Sequence, residues 1–409
     1  MASPTRYGDA ALAFVVATVV AAILTPVAAR LARRVGAISY PKARGLSERP
    51  TPELGGLAIL AAVVLAAWLW MPPWIGLSHT AHGHAGVPPP VRTWALIAGA
   101  GLIALVGAID DARELKWIFK LAGQVAAAIV AVRGGAVITD VTIPFAGGLQ
   151  FTDAAGPVTV VWLVTLMNIV NFSDGVDGLA AGVCTIDGVA FAVVAFNLQG
   201  PGSAAAVLAA ITAGGALGFL FHNFYPAKVF MGDTGANLLG YLLGVVAVIG
   251  SIKTNVVVAL ALPLLILAVP FLDTGFVVAK RLKYGRAPWS ADDNHFHHRM
   301  ARIGFSPRKT VAYLYTWTLM LAGVAIALRF VPYSDHQGHY RLGWSIVMGA
   351  ILALALAASV YLVYVLEIFK FKGLRVIQLR RLDPQVSDHE IDEAVERDVE
   401  TGEFEAVGK

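Results

Sequence analysis

Long apolar runs alternate with short polar segments along most of the chain, and this pattern predicts a bundle of membrane-spanning helices. Dividing the runs at polar, glycine and proline positions predicts about eleven helices, with ten as the alternative because several runs are short. The predicted helices cover residues 10–30, 55–74, 93–109, 117–133, 157–171, 179–198, 203–222, 237–252, 255–279, 310–330 and 343–369. The predicted fold class is therefore all-α, in a polytopic integral membrane protein.

Two parts of the chain depart from the helical pattern. Residues 137–153, with the sequence VITDVTIPFAGGLQFTD, alternate around Gly147 and Gly148, which predicts a small β-hairpin on the extracytoplasmic side. From Lys370 onwards the chain turns polar and then acidic. We therefore expect a membrane-embedded domain over residues 1–370 and a polar cytoplasmic tail over residues 371–409.

The composition agrees with a membrane protein. Hydrophobic residues make up 57% of the chain and charged residues 14%, whereas a soluble domain typically has about 25% charged residues. The first apolar stretch begins near Asp9 without a preceding basic segment, so it is predicted to be a transmembrane helix and not a cleaved signal. Cys184 lies in an apolar run, so this single cysteine is expected to be buried and forms no internal disulfide.

The distribution of Lys and Arg predicts the orientation in the cell membrane, because basic residues that flank spans stay on the cytoplasmic side. With the N-terminus outside and the C-terminus inside, about 25 of the 31 Lys and Arg fall on the inner side. The outer side holds only Arg6, Arg92, Arg133, Lys253, Arg329 and Arg341. The basic inner flanks explain the isoelectric point of about 9.1, so no nucleic-acid partner is required.

The same orientation collects the unusual polar clusters on the cytoplasmic face. These clusters are RGLSERPTPELGG (44–56), DDARELKWIFK (110–120), NIVNFSDGVDG (168–178), FMGDTGAN (230–237) and DDNHFHHR (292–299). A transporter, the alternative from a different class, would place polar groups near the middle of the bilayer. Polar loops at the inner surface instead favour an enzyme that joins a cytoplasmic polar substrate to a membrane lipid.

Asp110 and Asp111 end the third predicted helix at the inner boundary. Two adjacent carboxylates repel each other there and are costly to desolvate without a cation or a proton. The pair therefore favours a Mg²⁺ site or a base beside one. The alternative is a solvated helix end that is neutralised by Arg113 and Lys116.

Asn168, Asn171, Asp174 and Asp177 recur every three residues, which places them on one face where the helix ends. Amides and carboxylates can read the edges of a base or sugar and can hold a hydrated Mg²⁺ ion. A helix end with turn-forming residues is the alternative. That alternative explains the intervening glycines but not four regularly spaced polar groups.

Asp233 lies between two glycines ahead of the next predicted helix and is a candidate metal ligand, although a helix cap is the alternative. Phe230, just before it, is expected either to anchor the loop in the lipid interface or to stack on a base. On the last inner loop, donors for phosphate oxygens are offered by His295, His297, His298 and Arg299. A zinc site lacks the usual companion spacing, and a merely basic loop is the other alternative.

In this order, the Asp pair, NxxNxxDGxDGL, FMGDTG and HxHHR resemble the polyprenyl-phosphate N-acetylhexosamine-1-phosphate transferases over roughly residues 10–370. The resemblance implies transfer of a sugar 1-phosphate from a UDP-sugar to polyprenyl phosphate, with release of UMP. It implies Mg²⁺ as the cofactor, with Mn²⁺ as an alternative. The segment HFHHRMARIGFSPRKTV resembles the branch that uses UDP-N-acetylglucosamine, or a similar UDP-N-acetylhexosamine, to start a lipid-linked cell-envelope glycan. The alternative is the branch that uses UDP-N-acetylmuramoyl-pentapeptide in peptidoglycan synthesis.

The resemblance also implies roles for the residues already singled out. Asp110 is implied as a base toward the lipid phosphate, beside Asp111 as a catalytic group and metal ligand and Asp233 as the Mg²⁺ ligand. Lys120, in KLAGQ, is implied to hold phosphate, and Phe230 to stack on uracil. The nucleotide-sugar loop is matched by Asn168, Asn171, Asp174 and Asp177. The diphosphate-side loop is matched by catalytic His295 and by His297, His298 and Arg299.

One position departs from the family pattern. Ser47 stands three residues before Pro50, where the family usually has a histidine, so Ser47 is left out of the predicted site. The expected partners are a UDP-N-acetylhexosamine, a polyprenyl phosphate and the membrane itself, with a homodimer left open.

Overall fold

The computed structural model describes residues 7–40, 49–75, 91–143, 147–151, 153–196, 201–250, 306–331 and 341–365, with a few isolated positions elsewhere. Ten helices lie within these ranges. They are α1 (Tyr7–Val35), α2 (Gly55–Trp70), α3 (Thr93–Arg113), α4 (Trp117–Arg133), α5 (Ala155–Ser173), α6 (Leu179–Phe196), α7 (Pro201–Asn223), α8 (Gly232–Gly250), α9 (Pro307–Phe330) and α10 (Leu342–Val365).

Short strands form three antiparallel pairs in the described part of the chain. The pairs are β1 (Ile38–Ser39) with β2 (Thr51–Pro52), β3 (Trp74–Ile75) with β4 (Val91–Arg92), and β5 (Asp140–Ile143) with β6 (Gly147–Gln150). The third pair lies inside the segment for which the sequence predicts a hairpin, with Asp140 opposite Gln150. The extracytoplasmic position of that segment stays a prediction.

Eight of the described helices, all except α2 and α4, are long and apolar enough to cross a membrane. The predicted fold class, an all-α polytopic membrane protein, is confirmed. The count of eleven helices stays a prediction, because the helix predicted over 255–279 lies almost wholly outside the described residues. Cys184 is buried in α6, as its apolar surroundings predict.

Helix α8 lies at the centre of the bundle. Its residues from Thr234 to Ile249 are all buried, and it packs against α2, α3, α5, α6 and α7. Small residues allow the close approach: a Cβ on Gly240 would lie 2.5 Å from the carbonyl oxygen of Leu166 in α5. The packing of α8 therefore determines where its first turn, with its polar side chains, lies among the ends of its neighbours.

Two helix boundaries differ from the predicted ones in a way that matters for the site. The sequence predicts a start of α8 at residue 237, but the helix begins at Gly232, so Asp233 lies in the first turn and not in a loop. The third predicted helix ends at residue 109, but α3 continues to Arg113, so the Asp pair lies in its last turn. Hydropathy predicts these polar residues to lie in loops. They are helical here because neighbouring helices supply hydrogen-bond and ion-pair partners for their side chains.

The chain divides into two compact units. One comprises Met1–Gly275 and Val311–Val331, and the other Phe276–Thr310 and Pro332–Lys409. The first unit contains α1 to α8 and most of α9, and the site described below lies entirely within it. The predicted boundary near residue 370 falls outside the described residues and stays a prediction.

Candidate active site

The carboxylates singled out from the sequence meet where several helices begin or end. Asp110 and Asp111 lie in the last turn of α3, and Asp233 lies in the first turn of α8. Carboxylate oxygens of these three residues all lie within 4.8 Å of one another. Lys120, from the first turn of α4, and Asn171, from the last turn of α5, contact this group. Helix packing has thus brought together residues that are far apart in the sequence.

Asp233 is the centre of this cluster. Its Oδ2 accepts a hydrogen bond from Lys120 Nζ at 2.9 Å, and its Oδ1 accepts one from Asn171 Nδ2 at 2.9 Å. The carboxylate also lies at the N-terminus of α8, where the helix dipole favours negative charge. About a quarter of the side chain is exposed, at 23%. Asp233 is therefore a stabilised anion that a ligand can still reach.

Lys120 links Asp233 to the Asp pair. Its Nζ lies 2.5 Å from Asp110 Oδ2 and 2.9 Å from Asp233 Oδ2. The other oxygen of Asp110 accepts a hydrogen bond from the Leu115 backbone N–H at 2.7 Å. The Asp110 side chain is 8% exposed and that of Lys120 is 36% exposed. The ammonium group therefore bridges two carboxylates that also contact each other, and the lysine side chain stays partly exposed.

Asp111 has a different environment from its neighbour. Its Oδ1 accepts the backbone N–H of Asp233 at 2.7 Å, and its Oδ2 accepts from the Thr234 N–H at 3.1 Å and the Thr234 hydroxyl at 2.6 Å. The first N–H groups of a helix have no partner within that helix and are usually capped by a side chain just before it. Here the cap comes from α3. Asp111 therefore holds the first turn of α8 in position, and its role as a metal ligand stays a prediction.

Two glycines permit this contact between α3 and α8. Gly232 has φ of +66°, which favours glycine, and a Cβ there would lie 2.3 Å from Asp111 Oδ2. Gly107 lies one turn before Asp111, and its Cβ would lie 2.5 Å from Thr234 Cα. A side chain at either position would push the Asp pair away from Asp233.

The loop between α5 and α6 carries the two remaining predicted carboxylates. Burial raises the pKa of Asp174 well above its usual range, and the negative charges of Asp233 and Asp111 raise it further. Burial also raises the pKa of Asp177, and the hydrogen bond that its Oδ2 accepts from the Ala227 N–H at 2.8 Å offsets part of this rise. Asp174 therefore interacts electrostatically with the acidic cluster. Asp177 instead binds the backbone of the segment that leads to α8.

Phe230 lies in that same segment, two residues before α8. Its backbone N–H donates to the Pro52 carbonyl at 2.9 Å, and its own carbonyl accepts from the Gly55 N–H at 3.0 Å. These bonds join the segment to β2 and to the start of α2. The side chain is half-buried, and its stacking on a base stays a prediction.

Asn223 is a structural residue of the site that sequence reasoning missed. It is 2% exposed, its Oδ1 accepts from the Gly178 N–H at 2.9 Å, and its Nδ2 donates to the Val229 carbonyl at 3.0 Å. It therefore ties the α5–α6 loop to the segment before α8. A polar amide at the end of an apolar run is the signal that could have found it.

Thr234, Gln124 and Asn237 were also missed. Thr234 donates to Asp111, while Gln124 and Asn237 share a buried hydrogen bond of 2.8 Å. Gln124 lies four residues after Lys120, and Asn237 lies four residues after Asp233. Because residues four apart share a helix face, this spacing was the available signal.

The structure describes most of the predicted site residues, including Asp174, Asp177 and Phe230 in the loops beside the cluster. The structure brings Asp110, Asp111, Lys120, Asn171 and Asp233 together, with Asn168 half-buried one turn away. The described residues do not include Ser47, which is not part of the predicted site, or four predicted site residues: His295, His297, His298 and Arg299. Their roles in the site stay predictions.

The chemistry of the described cluster suits a divalent metal ion. Three carboxylates with neighbouring oxygens are balanced by one lysine, which leaves the cluster net negative. Hard divalent cations prefer oxygen ligands of this kind. Asp233 and Asp110 offer the oxygens that are not committed to capping a helix, so these two residues are best suited to hold such an ion.

Comparison with known proteins relates this site to a family. Residues 93–251, which contain the whole carboxylate cluster, match the model of glycosyl transferase family 4. The chain is 36% identical over 349 residues to the decaprenyl-phosphate N-acetylglucosaminephosphotransferase of Mycolicibacterium smegmatis, covering 79% of this chain and 82% of that protein. It is 33% identical over 375 residues to the protein of the same name from Mycobacterium tuberculosis, covering 86% and 89%.

A more distant similarity connects the chain to a second group of membrane enzymes. It is 31% identical over 339 residues to the phospho-N-acetylmuramoyl-pentapeptide-transferase of Desulforamulus reducens, covering 78% of this chain and 95% of that protein. All of these relatives are aligned over most of their length, across the helices that build the cluster. The chain therefore belongs to glycosyl transferase family 4 and is a membrane-embedded glycosyl-1-phosphate transferase.

Proposed function

We propose that this protein transfers N-acetylglucosamine 1-phosphate from UDP-N-acetylglucosamine to a polyprenyl phosphate and releases UMP. The reaction takes place on the cytoplasmic face of the cell membrane and starts a lipid-linked cell-envelope glycan. The observation that carries the proposal is the cluster of Asp110, Asp111, Asp233 and Lys120 at the ends of membrane helices. The names of the relatives with the higher identities support the choice of sugar and lipid.

The proposed step exchanges one phosphoanhydride for another. An oxygen of the polyprenyl phosphate attacks the phosphorus next to the sugar, and a new P–O bond forms there. The bond from that phosphorus to the bridging oxygen breaks, and UMP leaves with the bonding electron pair. No covalent enzyme intermediate is needed for this balance, although an aspartyl-phosphate on Asp110 is an alternative.

Charge neutralisation is the main demand of this step, because both substrates carry phosphate groups. Lys120 is the described cation of the site, its side chain is partly exposed, and its ammonium is suited to hold a phosphate oxygen. A bound Mg²⁺, with Mn²⁺ as an alternative, would neutralise the diphosphate and stabilise the leaving UMP. Asp233 and Asp110 would hold that ion, and Asp111 would keep Asp233 in place.

The amides and the remaining loops are proposed to bind the donor. Asn168, Asn171 and Asp174 line the end of α5 beside the cluster, and Phe230 would stack on the uracil ring. The residues His295, His297, His298 and Arg299 would contact the diphosphate. These assignments rest on the chemistry of the side chains and on the resemblance described from the sequence.

A donor panel tests the proposal. Purified protein, Mg²⁺ and one polyprenyl phosphate are incubated with UDP-N-acetylglucosamine, UDP-N-acetylgalactosamine, UDP-glucose or UDP-N-acetylmuramoyl-pentapeptide, and the lipid products are identified by mass. The UDP-N-acetylhexosamine should react roughly tenfold to a hundredfold faster than UDP-glucose, because the lost acetamido hydrogen bond leaves a buried partner unpaired.

The panel also separates this proposal from its alternatives. A lipid-linked muramoyl-pentapeptide without any lipid-linked N-acetylhexosamine would assign the chain to the other branch. Absence of UMP release with every donor, from protein that elutes as a single species in detergent, would contradict the proposed reaction altogether.

A further inference from the structure

Polar side chains form two layers across the same three helices, α4, α5 and α8, one helical turn apart. The first layer is charged and contains Lys120, Asn171 and Asp233. The second layer is neutral, lies deeper along each helix, and contains Gln124, Asn168 and Asn237. Each helix contributes one residue to each layer, at a spacing of three or four residues that puts both on one face.

The second layer is a continuous chain of hydrogen bonds. Asn168 Nδ2 donates to Gln124 Oε1 at 2.9 Å, Gln124 Nε2 donates to Asn237 Oδ1 at 2.8 Å, and Asn237 Nδ2 donates to the Asp233 backbone carbonyl at 2.9 Å. Asn168 Nδ2 also donates to the Val164 carbonyl at 2.8 Å. Gln124 and Asn237 are each 5% exposed, so these two amides are shielded from solvent.

The direction of this chain follows from its two ends. The carbonyl oxygens of Asp233 and Val164 can only accept, so the groups facing them must be the NH₂ groups of Asn237 and Asn168. Asn237 then offers its oxygen to Gln124, and Gln124 in turn offers its oxygen to Asn168. Reversing any one amide would bring two donors or two acceptors face to face.

The Asn168 side chain keeps hydrogen-bonding capacity on its oxygen only. Both hydrogens of its NH₂ group are used, one by Gln124 and one by Val164. Within the part of the chain that the structure describes, no residue donates to its Oδ1. Asn168 is half-buried, whereas Gln124 and Asn237 are buried, so Asn168 is the member of the chain that a ligand can reach. Toward a ligand, Asn168 acts only as a hydrogen-bond acceptor.

An obligate acceptor discriminates between the two substrates. The phosphate of a polyprenyl phosphate presents acceptor oxygens near neutral pH and has almost no hydrogen to donate. A nucleotide sugar has donors in its sugar hydroxyls, its acetamido N–H and the uracil N–H. The oxygen of Asn168 therefore fits the nucleotide sugar and repels the lipid phosphate.

We infer that Gln124 and Asn237 are positioning residues that hold the amide of Asn168 with its oxygen toward a hydrogen-bond donor on the nucleotide sugar. This inference rests on the proposed function, because it needs a nucleotide-sugar donor. Neither residue touches the substrate. Together with the Val164 carbonyl, they oppose rotation of the Asn168 amide, since rotation would present the NH₂ group instead.

Three variants test the inference: Gln124→Met, Asn237→Leu and the double variant, in which apolar side chains of similar size replace the amides. Each single change should raise KM for the nucleotide sugar roughly five- to thirtyfold, as expected for one or two lost hydrogen bonds, with KM for polyprenyl phosphate unchanged. The double variant should resemble the worse single variant, because Gln124 can hold the Asn168 amide only while Asn237 fixes the orientation of the Gln124 amide.

Tyr241→Phe is the matched control. Tyr241 lies one turn beyond Asn237 on α8, is buried, and donates to the Leu96 carbonyl at 3.1 Å. Removing its hydroxyl breaks a buried hydrogen bond between α8 and α3 without touching the amide chain. Both KM values should stay at wild-type levels in this variant.

The possible results separate the inference from the proposed function. Equal increases in KM for both substrates, or additive effects in the double variant, would overturn the positioning role. The proposed reaction would still stand, provided that the wild-type enzyme turns over. A wild-type enzyme that releases no UMP would instead contradict the proposed function. If Gln124→Met does not purify as a single folded species, the inference is tested with Asn237→Leu alone, which leaves the Gln124–Asn168 contact in place. The same comparison of the two KM values then applies.

Discussion

At the scale of single residues, charge in the site is balanced by contacts between helices. Asp110 and Asp233 share one lysine, and Asp233 also accepts from Asn171. Partly buried carboxylates this close repel each other unless a cation or a proton neutralises part of their charge. Lys120 therefore has two functions to test, neutralisation of the carboxylates and contact with phosphate.

Lys120→Met should lower the rate of UMP release at least about a hundredfold, the scale for removing one strong electrostatic contact in a reaction of this type. Lys120→Arg keeps the positive charge and should retain more activity than Lys120→Met. Rates are measured at saturating donor and lipid. Equal rates for Lys120→Met and the wild type would remove the lysine from the proposed mechanism.

Asp233→Asn should abolish turnover while the protein still inserts and purifies. The amide keeps the shape of the side chain but removes the anionic charge that a divalent ion needs, and the hydrogen bond from Lys120 loses its charged partner. Turnover is measured over a series of Mg²⁺ concentrations. Wild-type activity of this variant at ordinary Mg²⁺ would exclude Asp233 as a metal ligand.

At the scale of helices, the contact between the end of α3 and the start of α8 determines the geometry of the site. Asp111 caps α8 through the Asp233 and Thr234 N–H groups, and Gly232 gives it room. The same contact explains why α8 begins earlier than its hydropathy predicts. A cap supplied by a distant segment cannot be read from the local pattern.

Gly232→Ala tests this contact, with Gly36→Ala as the matched control. Both glycines have positive φ, +66° and +81°, so both substitutions carry a backbone penalty of roughly 1–2 kcal/mol. Only the Gly232 methyl group would collide with Asp111, since nothing lies within 4 Å of a Cβ on Gly36. We expect similar small losses of thermal stability from both variants, but a large loss of UMP release from Gly232→Ala alone. Similar activities in the two variants would show that the approach of Asp111 is not critical.

At the scale of the whole molecule, the site is expected to face the cytoplasm, because the Lys and Arg asymmetry places its helix ends there. Single cysteines introduced for Ala291 and Gly83, on a Cys184→Ser background, test this orientation in intact cells. A membrane-impermeant thiol reagent should label the residue at position 83 from outside, and the one at 291 only after the membrane is opened. Labelling in the reverse sense would overturn the orientation and the cytoplasmic supply of donor with it.

The sequence by itself determined the membrane class, most helix positions and the family, because these follow from local hydropathy and from short motifs. Asp110, Asp111 and Asp233 were also recognisable as a group, since carboxylates at the ends of apolar helices are costly without a function. Only the tertiary structure decided what each carboxylate does: Asp111 caps α8, whereas Asp233 and Asp110 share Lys120. It alone joined Gln124 to Asn237 and Asn168. The physical reason is that a hydrogen bond between distant helices depends on how their faces pack, which a local pattern of polar and apolar residues does not encode.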